Sequence, residues 1–236
     1  MDYLRFELRK IKGSGIFVIG AVLTILSVLF QGYLGLMVKE ITCDIIHVTA
    51  LNLFSTLIFP IFISVVVSES FSIEETNCGI ANSYFSNISI IKIYSMKLLT
   101  VRLINLFYFI LATAITMIFV ALKGGNTVDI FFKEWNWIAL TIINIHTLIN
   151  VVAILIVCFK SRLLAMMISV IATVFASLLN PLGISWLNPW YGFEHALFYR
   201  GLSHLAITYM IILFTLSEFL IKKKIKEIPP LLESMV

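Results

Sequence analysis

Two sets of residues in this chain have the types and spacing for chemistry. Glu74 and Glu75 are adjacent carboxylates, and His146 and Asn150 stand four apart, on one face of any helix that contains them. Carboxylate and imidazole together can activate water, alone or on a metal ion. The other histidines, His47, His195 and His204, fall in or beside segments predicted on the far side of a membrane from those carboxylates. No Ser/His/Asp set, zinc-ligand spacing or carboxylate pair inside an apolar run completes a site. Catalysis and metal binding by this chain are therefore not expected, and what is left to the carboxylates is their charge.

That charge sits in an unusual place. The stretch from Ser68 to Lys97 is polar and holds Glu69, Glu74 and Glu75 between two apolar runs. Putting each carboxylate at bilayer depth would cost about 2.5–3.5 kcal/mol, so the stretch belongs in the interface or beyond the lipid, where it offers a docking surface.

The elements that must carry these residues are membrane helices. Of 236 residues, 60% are hydrophobic and 13% charged, against about 45–50% and 25% in soluble domains, which excludes an ordinary soluble fold. Six apolar runs reach the length of about 20 residues that a helix needs to cross the hydrocarbon. They are Gly15 to Met37, Val48 to Val67, Leu98 to Leu122, Trp135 to Phe159, Leu163 to Leu182 and Leu202 to Ile221. The predicted fold is all-α, a single six-span domain over residues 1–236, and the alternation of a membrane β-barrel is missing. The first run is too long for a signal-peptide core, so it is expected to stay in the mature protein.

Basic residues set the orientation. Arg5, Arg9, Lys10 and Lys12 precede the first run, Lys92, Lys97 and Arg102 bracket the second connection, Lys160 and Arg162 the fourth, and Lys222, Lys223, Lys224 and Lys226 follow the sixth. Both termini are thus predicted in the cytoplasm of a multi-pass cell-membrane protein. The net charge of +4 then belongs to a basic inner rim facing anionic lipid and implies no nucleic acid. In the opening residues Leu4, Leu8 and Ile11 form one stripe and Arg5, Arg9 and Lys12 another, the pattern of an interfacial amphipathic helix, followed by the break Gly13-Ser14-Gly15. Pro60 is placed to kink the second span. Before the last span, Asn180, Pro181, Trp186, Pro189, Trp190, Tyr191 and Tyr199 mark an outer stretch expected to be partly re-entrant or, alternatively, an aromatic-anchored loop. Cys43, Cys78 and Cys158 are too scattered for a metal site and are read as unpaired.

Within the polar stretch the spacing is specific: Glu75, Gly79 four residues on, Tyr84-Phe85, Ser89, Lys92 and Lys97. It resembles the first cytoplasmic loop of ABC exporter permeases of the type-2 class, in which a Glu, three intervening residues, a Gly, a hydrophobic pair, a Pro, a basic residue and a terminal Lys recur. Ser89 stands where that family usually has Pro, Lys92 where it often has Arg, and Ile80 where Thr is common. Over the whole chain the resemblance is greatest to the small permease subunits of lantibiotic-immunity transporters, of the MutE/EpiE and MutG kind. It implies that Glu69, Glu74, Glu75, Gly79, Lys92 and Lys97 couple to a cytoplasmic ATPase, that a second permease completes a homo- or heterodimer, and that the cargo is an amphipathic peptide; an exporter of another drug, a lipid or a polysaccharide, or a membrane scaffold that transports nothing, is the alternative. The chain has no Gly-Lys pair and hence no P-loop. ATP and Mg are therefore expected on the partner ATPase, with no cofactor on this chain.

Two further readings concern the apolar runs. Asn144, His146 and Asn150 in the fourth, with Asn105, Asn180, Trp186 and Trp190, are expected to tie helices together by hydrogen bonds or to line a substrate path. No Asp, Glu, Lys or Arg lies near mid-depth to bind an ion, which disfavours a channel. Glu74-Glu75 and His146 also resemble the set used by intramembrane prenyl endopeptidases, but no Arg follows the Glu pair and no His has a Phe four residues before it.

Overall fold

The computed structural model describes residues 2–42, 45–76, 90–133, 135–179, 190 and 204–226. Every element among them is helical: α1 (Asp2–Gly13), α2 (Ile16–Met37), α3 (Ile46–Leu53), a π turn (Phe54–Ile58), α4 (Phe59–Thr76), α5 (Ile90–Leu122), α6 (Thr127–Lys133), α7 (Trp135–Phe159), α8 (Arg162–Leu179) and α9 (His204–Lys226). Among the described residues four helical stretches, Ile16–Met37, Ile46–Phe71, Ile91–Leu122 and Trp135–Phe159, are long and apolar enough to cross a membrane. The fifth expected span corresponds to the shorter apolar helix α8, and the sixth to α9, which ends in Lys222, Lys223, Lys224 and Lys226. Of the expected re-entrant stretch, Asn180 and Trp186 lie outside the described residues, and Trp190 is buried in the core.

Lipid gives apolar helices no hydrophobic reason to associate, so they pack where small residues let backbones approach. α2 buries Gly20, Thr24, Ser27, Val28, Gly32 and Gly35, and turns bulky Val18, Val22, Leu26 and Phe30 outward. A side chain at Gly20 would collide with the rings of Phe62 and Tyr108, and one at Gly32 with the ring of Phe119. Tyr108 then reaches over the smooth face to donate to Phe17 O at 2.9 Å. α8 repeats the device, burying Ala165, Ser169, Thr173 and Ala176 at helical spacing. Its hydroxyls are satisfied at home, Ser169 Oγ on Ala165 O at 2.9 Å and Thr173 Oγ1 on Ser169 O at 2.8 Å.

The helix ends follow from local chemistry. Gly15, at φ 76°, turns α1 into α2, and Ser14 Oγ donates to Ile11 O at 2.7 Å across the corner. α1 folds Glu7 and Ile11 inward against the bundle and leaves Arg5 and Arg9 exposed, so its apolar stripe docks on protein. Gly124, at φ 83°, ends α5 in a Schellman turn with Gly124 N–H on Ala121 O and Gly125 N–H on Val120 O, both at 3.0 Å. Beside it, Lys123 Nζ donates to Leu36 O at 3.3 Å and Val38 O at 3.1 Å, capping the end of α2.

Pro60 acts through a change of helical register. Proline has no N–H to give the preceding turn, and the chain meets that lack with the π turn just before it, in which Phe59 N–H bonds to Phe54 O. Ser55 Oγ and Thr56 Oγ1 supply bonds to Leu51 O and Asn52 O, each at 2.8 Å. Phe54 and Phe59 stack across the wide turn with centroids 4.7 Å apart.

Candidate functional site

The polar stretch is shorter than its sequence implies. α4 continues to Thr76 and α5 begins at Ile90, so most of Ser68 to Lys97 belongs to the two helices, and Ser68, Ser70, Phe71, Ile93 and Lys97 are buried between packed elements. The reason is apolar contact beyond the expected ends of the spans: Phe71 and Tyr94 meet with ring centroids 5.5 Å apart, which holds the helices together for additional turns. Lys97 completes the joint. Its Nζ donates to Ser70 O at 2.7 Å and lies 5.5 Å from the centroid of the Phe71 ring, a cation over an aromatic face. Glu69 is half-buried on α4, Glu74 and Glu75 belong to its last turn, and Lys92 is exposed at the start of α5. Gly79, Tyr84, Phe85 and Ser89 lie outside the described residues.

Five residues along α5 from Lys97, a second joint ties three helices. Arg102 Nη2 donates to Asn150 Oδ1 of α7 at 2.8 Å and to Glu218 Oε1 of α9. Asn150 Nδ2 spends both hydrogens on α9, on Glu218 Oε1 at 2.9 Å and Ser217 Oγ at 3.1 Å. Ser217 Oγ in turn donates to Phe214 O at 2.8 Å. Asn150 is fully buried, while the Arg102 and Glu218 side chains are 22% and 20% exposed. Two opposite charges cancel here, and the flat guanidinium and the amide impose directions that apolar packing lacks. One turn along α7 the His146 ring faces Phe214 at 6.4 Å between centroids.

The sequence places Glu218 with Lys222 one turn on. In the structure Lys222 Nζ is 3.8 Å from Glu218 Oε2 on a largely exposed side chain, and the closer partners of Glu218 are Arg102 and Asn150. A signal for this was present: Arg102 is the only charged residue between Leu98 and Leu122, and Glu218 the only Asp, Glu, Lys or Arg between Leu202 and Ile221. Each lies near the same predicted side of the membrane, so two lone opposite charges were candidates for each other. Of the expected path residues, Asn150 ties helices together, and Asn144 and His146 lie along the same helix. Set against family models, curated proteins and solved structures, the chain matches none.

Proposed function

We propose that this chain is the membrane permease subunit of an ATP-driven ABC exporter, with α8 and α9 as its fifth and sixth spans and both termini in the cytoplasm. A separate cytoplasmic ATPase would supply ATP, Mg and hydrolysis, and a second permease, identical or related, would complete the translocating dimer. The observation that carries this reading is the joint at the foot of the acidic stretch. α4 and α5 are tied by Lys97 on Ser70 O and by Phe71 on Tyr94, so a load on residues 77–89 would reach both helices together. About 7.5 Å further along α5, Arg102 connects the same helix to α7 and α9.

In this mechanism the carboxylates of Glu69, Glu74 and Glu75, with Gly79 and Lys92, form the surface that receives the ATPase. Closure of the ATPase around ATP biases the bundle between two arrangements. The shift expels an amphipathic peptide from the membrane, past Asn144, His146 and Asn150 and the outer stretch holding Asn180, Trp186 and Trp190. Immunity to a lantibiotic is the use this serves. Glu75→Lys reverses charge at the docking surface and is expected to abolish co-purification of the partner ATPase subunit. Unchanged co-purification together with unchanged peptide-stimulated ATP hydrolysis would overturn the proposal.

A further inference from the structure

The short helix α6, between the spans α5 and α7, has a fixed start and a fixed rotation. Asn126 caps it, accepting from Val128 N–H on Oδ1 at 3.1 Å and donating from Nδ2 to Asp129 Oδ2 at 2.8 Å. Ile130 turns inward and joins the core of the bundle. At about 100° per residue, Val128, Phe131 and Phe132 then share about 100° of arc on roughly the opposite side, with Asp129 on its flank. Val128 is 58% exposed, Phe131 37% and Phe132 72%, and Trp135, which opens α7, is 57% exposed. Their rings form one cluster, with centroids 6.1 Å apart from Phe131 to Phe132 and 6.5 Å from Phe131 to Trp135.

In water this arrangement is inverted, because a helix on a protein surface turns its apolar stripe toward the core. Depth accounts for it. Leu122, the last residue of α5, stands about 30 Å along that helix from Arg102, one hydrocarbon thickness from the charges of the junction with α7 and α9. The chain leaves α5 past exposed Ile118 and Leu122 and enters α7 at exposed Trp135, so the aromatic face of α6 carries on the outward apolar surface of two spans. Its exposed surface is mixed, with rings on one arc and Asp129 beside them, which suits the boundary between headgroups and acyl chains better than either water or hydrocarbon. A protein partner fits less well. The four side chains present roughly 400 Å², about half of the roughly 800 Å² that each partner of a stable protein interface buries.

We infer that Val128, Phe131, Phe132 and Trp135 form a lipid-docking surface, seated among the phospholipids of the leaflet opposite the Arg102–Glu218 junction at the boundary of headgroups and acyl chains. The inference needs α5 and α7 to cross a bilayer and does not depend on the transport reading. It is tested on the full chain in nanodiscs of phosphatidylcholine and phosphatidylglycerol, with Cys43, Cys78 and Cys158 replaced by Ser and a nitroxide attached at Phe132→Cys. Collision rates with oxygen, which enters lipid, and with a water-soluble nickel chelate give the depth of the label, calibrated against spin-labelled lipids. The label is expected about 5–10 Å inside the headgroup boundary. Val128→Cys, one turn away on the same exposed face, supplies a second measurement should the first variant not fold. A label that meets mainly the nickel chelate lies in water, and one shielded from both reagents lies under protein, a second copy of the chain included; either result would overturn the inference.

Discussion

The face of α2 and the junction of α5, α7 and α9 meet the same need in opposite ways. On α2 the contact is shape: glycines admit the rings of Phe62, Tyr108 and Phe119, and Ser27 donates to Thr24 O of its own helix at 3.0 Å. At the junction the contact is direction, with Arg102, Asn150, Ser217 and Glu218 reaching from one helix to another. Interlocked shape cannot slide without opening a void. Donors and acceptors can exchange partners, so the comparison separates a part of the bundle that is fixed from a part able to rearrange.

Removing one charge should affect that comparison most. Glu218→Leu leaves Arg102 without its carboxylate and is expected to lower stability by about 3 kcal/mol, the low end for a broken ion pair because this one is a fifth exposed. Combining it with Arg102→Leu should recover most of the loss in thermal unfolding in nanodiscs, and a double variant as weak as the sum of its parts would mean that the two charges are not coupled. Next comes Gly20→Leu, which forces Phe62 and Tyr108 off α2 at about 1–3 kcal/mol. A neutral effect there would break the idea that α2 is held by shape. The smallest effect belongs to Lys123→Met, which uncaps Leu36 O and Val38 O for about 0.5–1 kcal/mol. It should show as faster amide exchange confined to the α2–α3 connection, and a global loss of protection would place Lys123 in the core of the fold instead.

Much of the helical plan is legible residue by residue. Apolar length marks Ile16–Met37 and Trp135–Phe159 almost to their ends, and the third span at its Leu122 end though not at its start, Ile91 rather than Leu98; the stripe Leu4, Leu8, Ile11 marks α1, because neither signal needs a partner from elsewhere in the chain. Pro60 is legible as an interruption, but the π turn that accommodates it depends on Ser55 and Thr56 being placed to bond back to the preceding turn. The foot of the acidic stretch is not legible: Lys97 reads as a charge closing a loop, whereas Phe71 and Tyr94 carry the two helices past that point and bury it.

By itself the amino-acid order determined that this protein is a set of apolar helices with Glu69, Glu74 and Glu75 held outside the apolar runs, since burial of charge and hydrocarbon thickness act on each segment separately. Only the tertiary structure decided which polar groups meet. Arg102 and Glu218 are 116 residues apart, and their contact depends on the rotation and register of three helices. Those are set by close packing among small and large side chains, a property of surfaces in contact that no single segment contains.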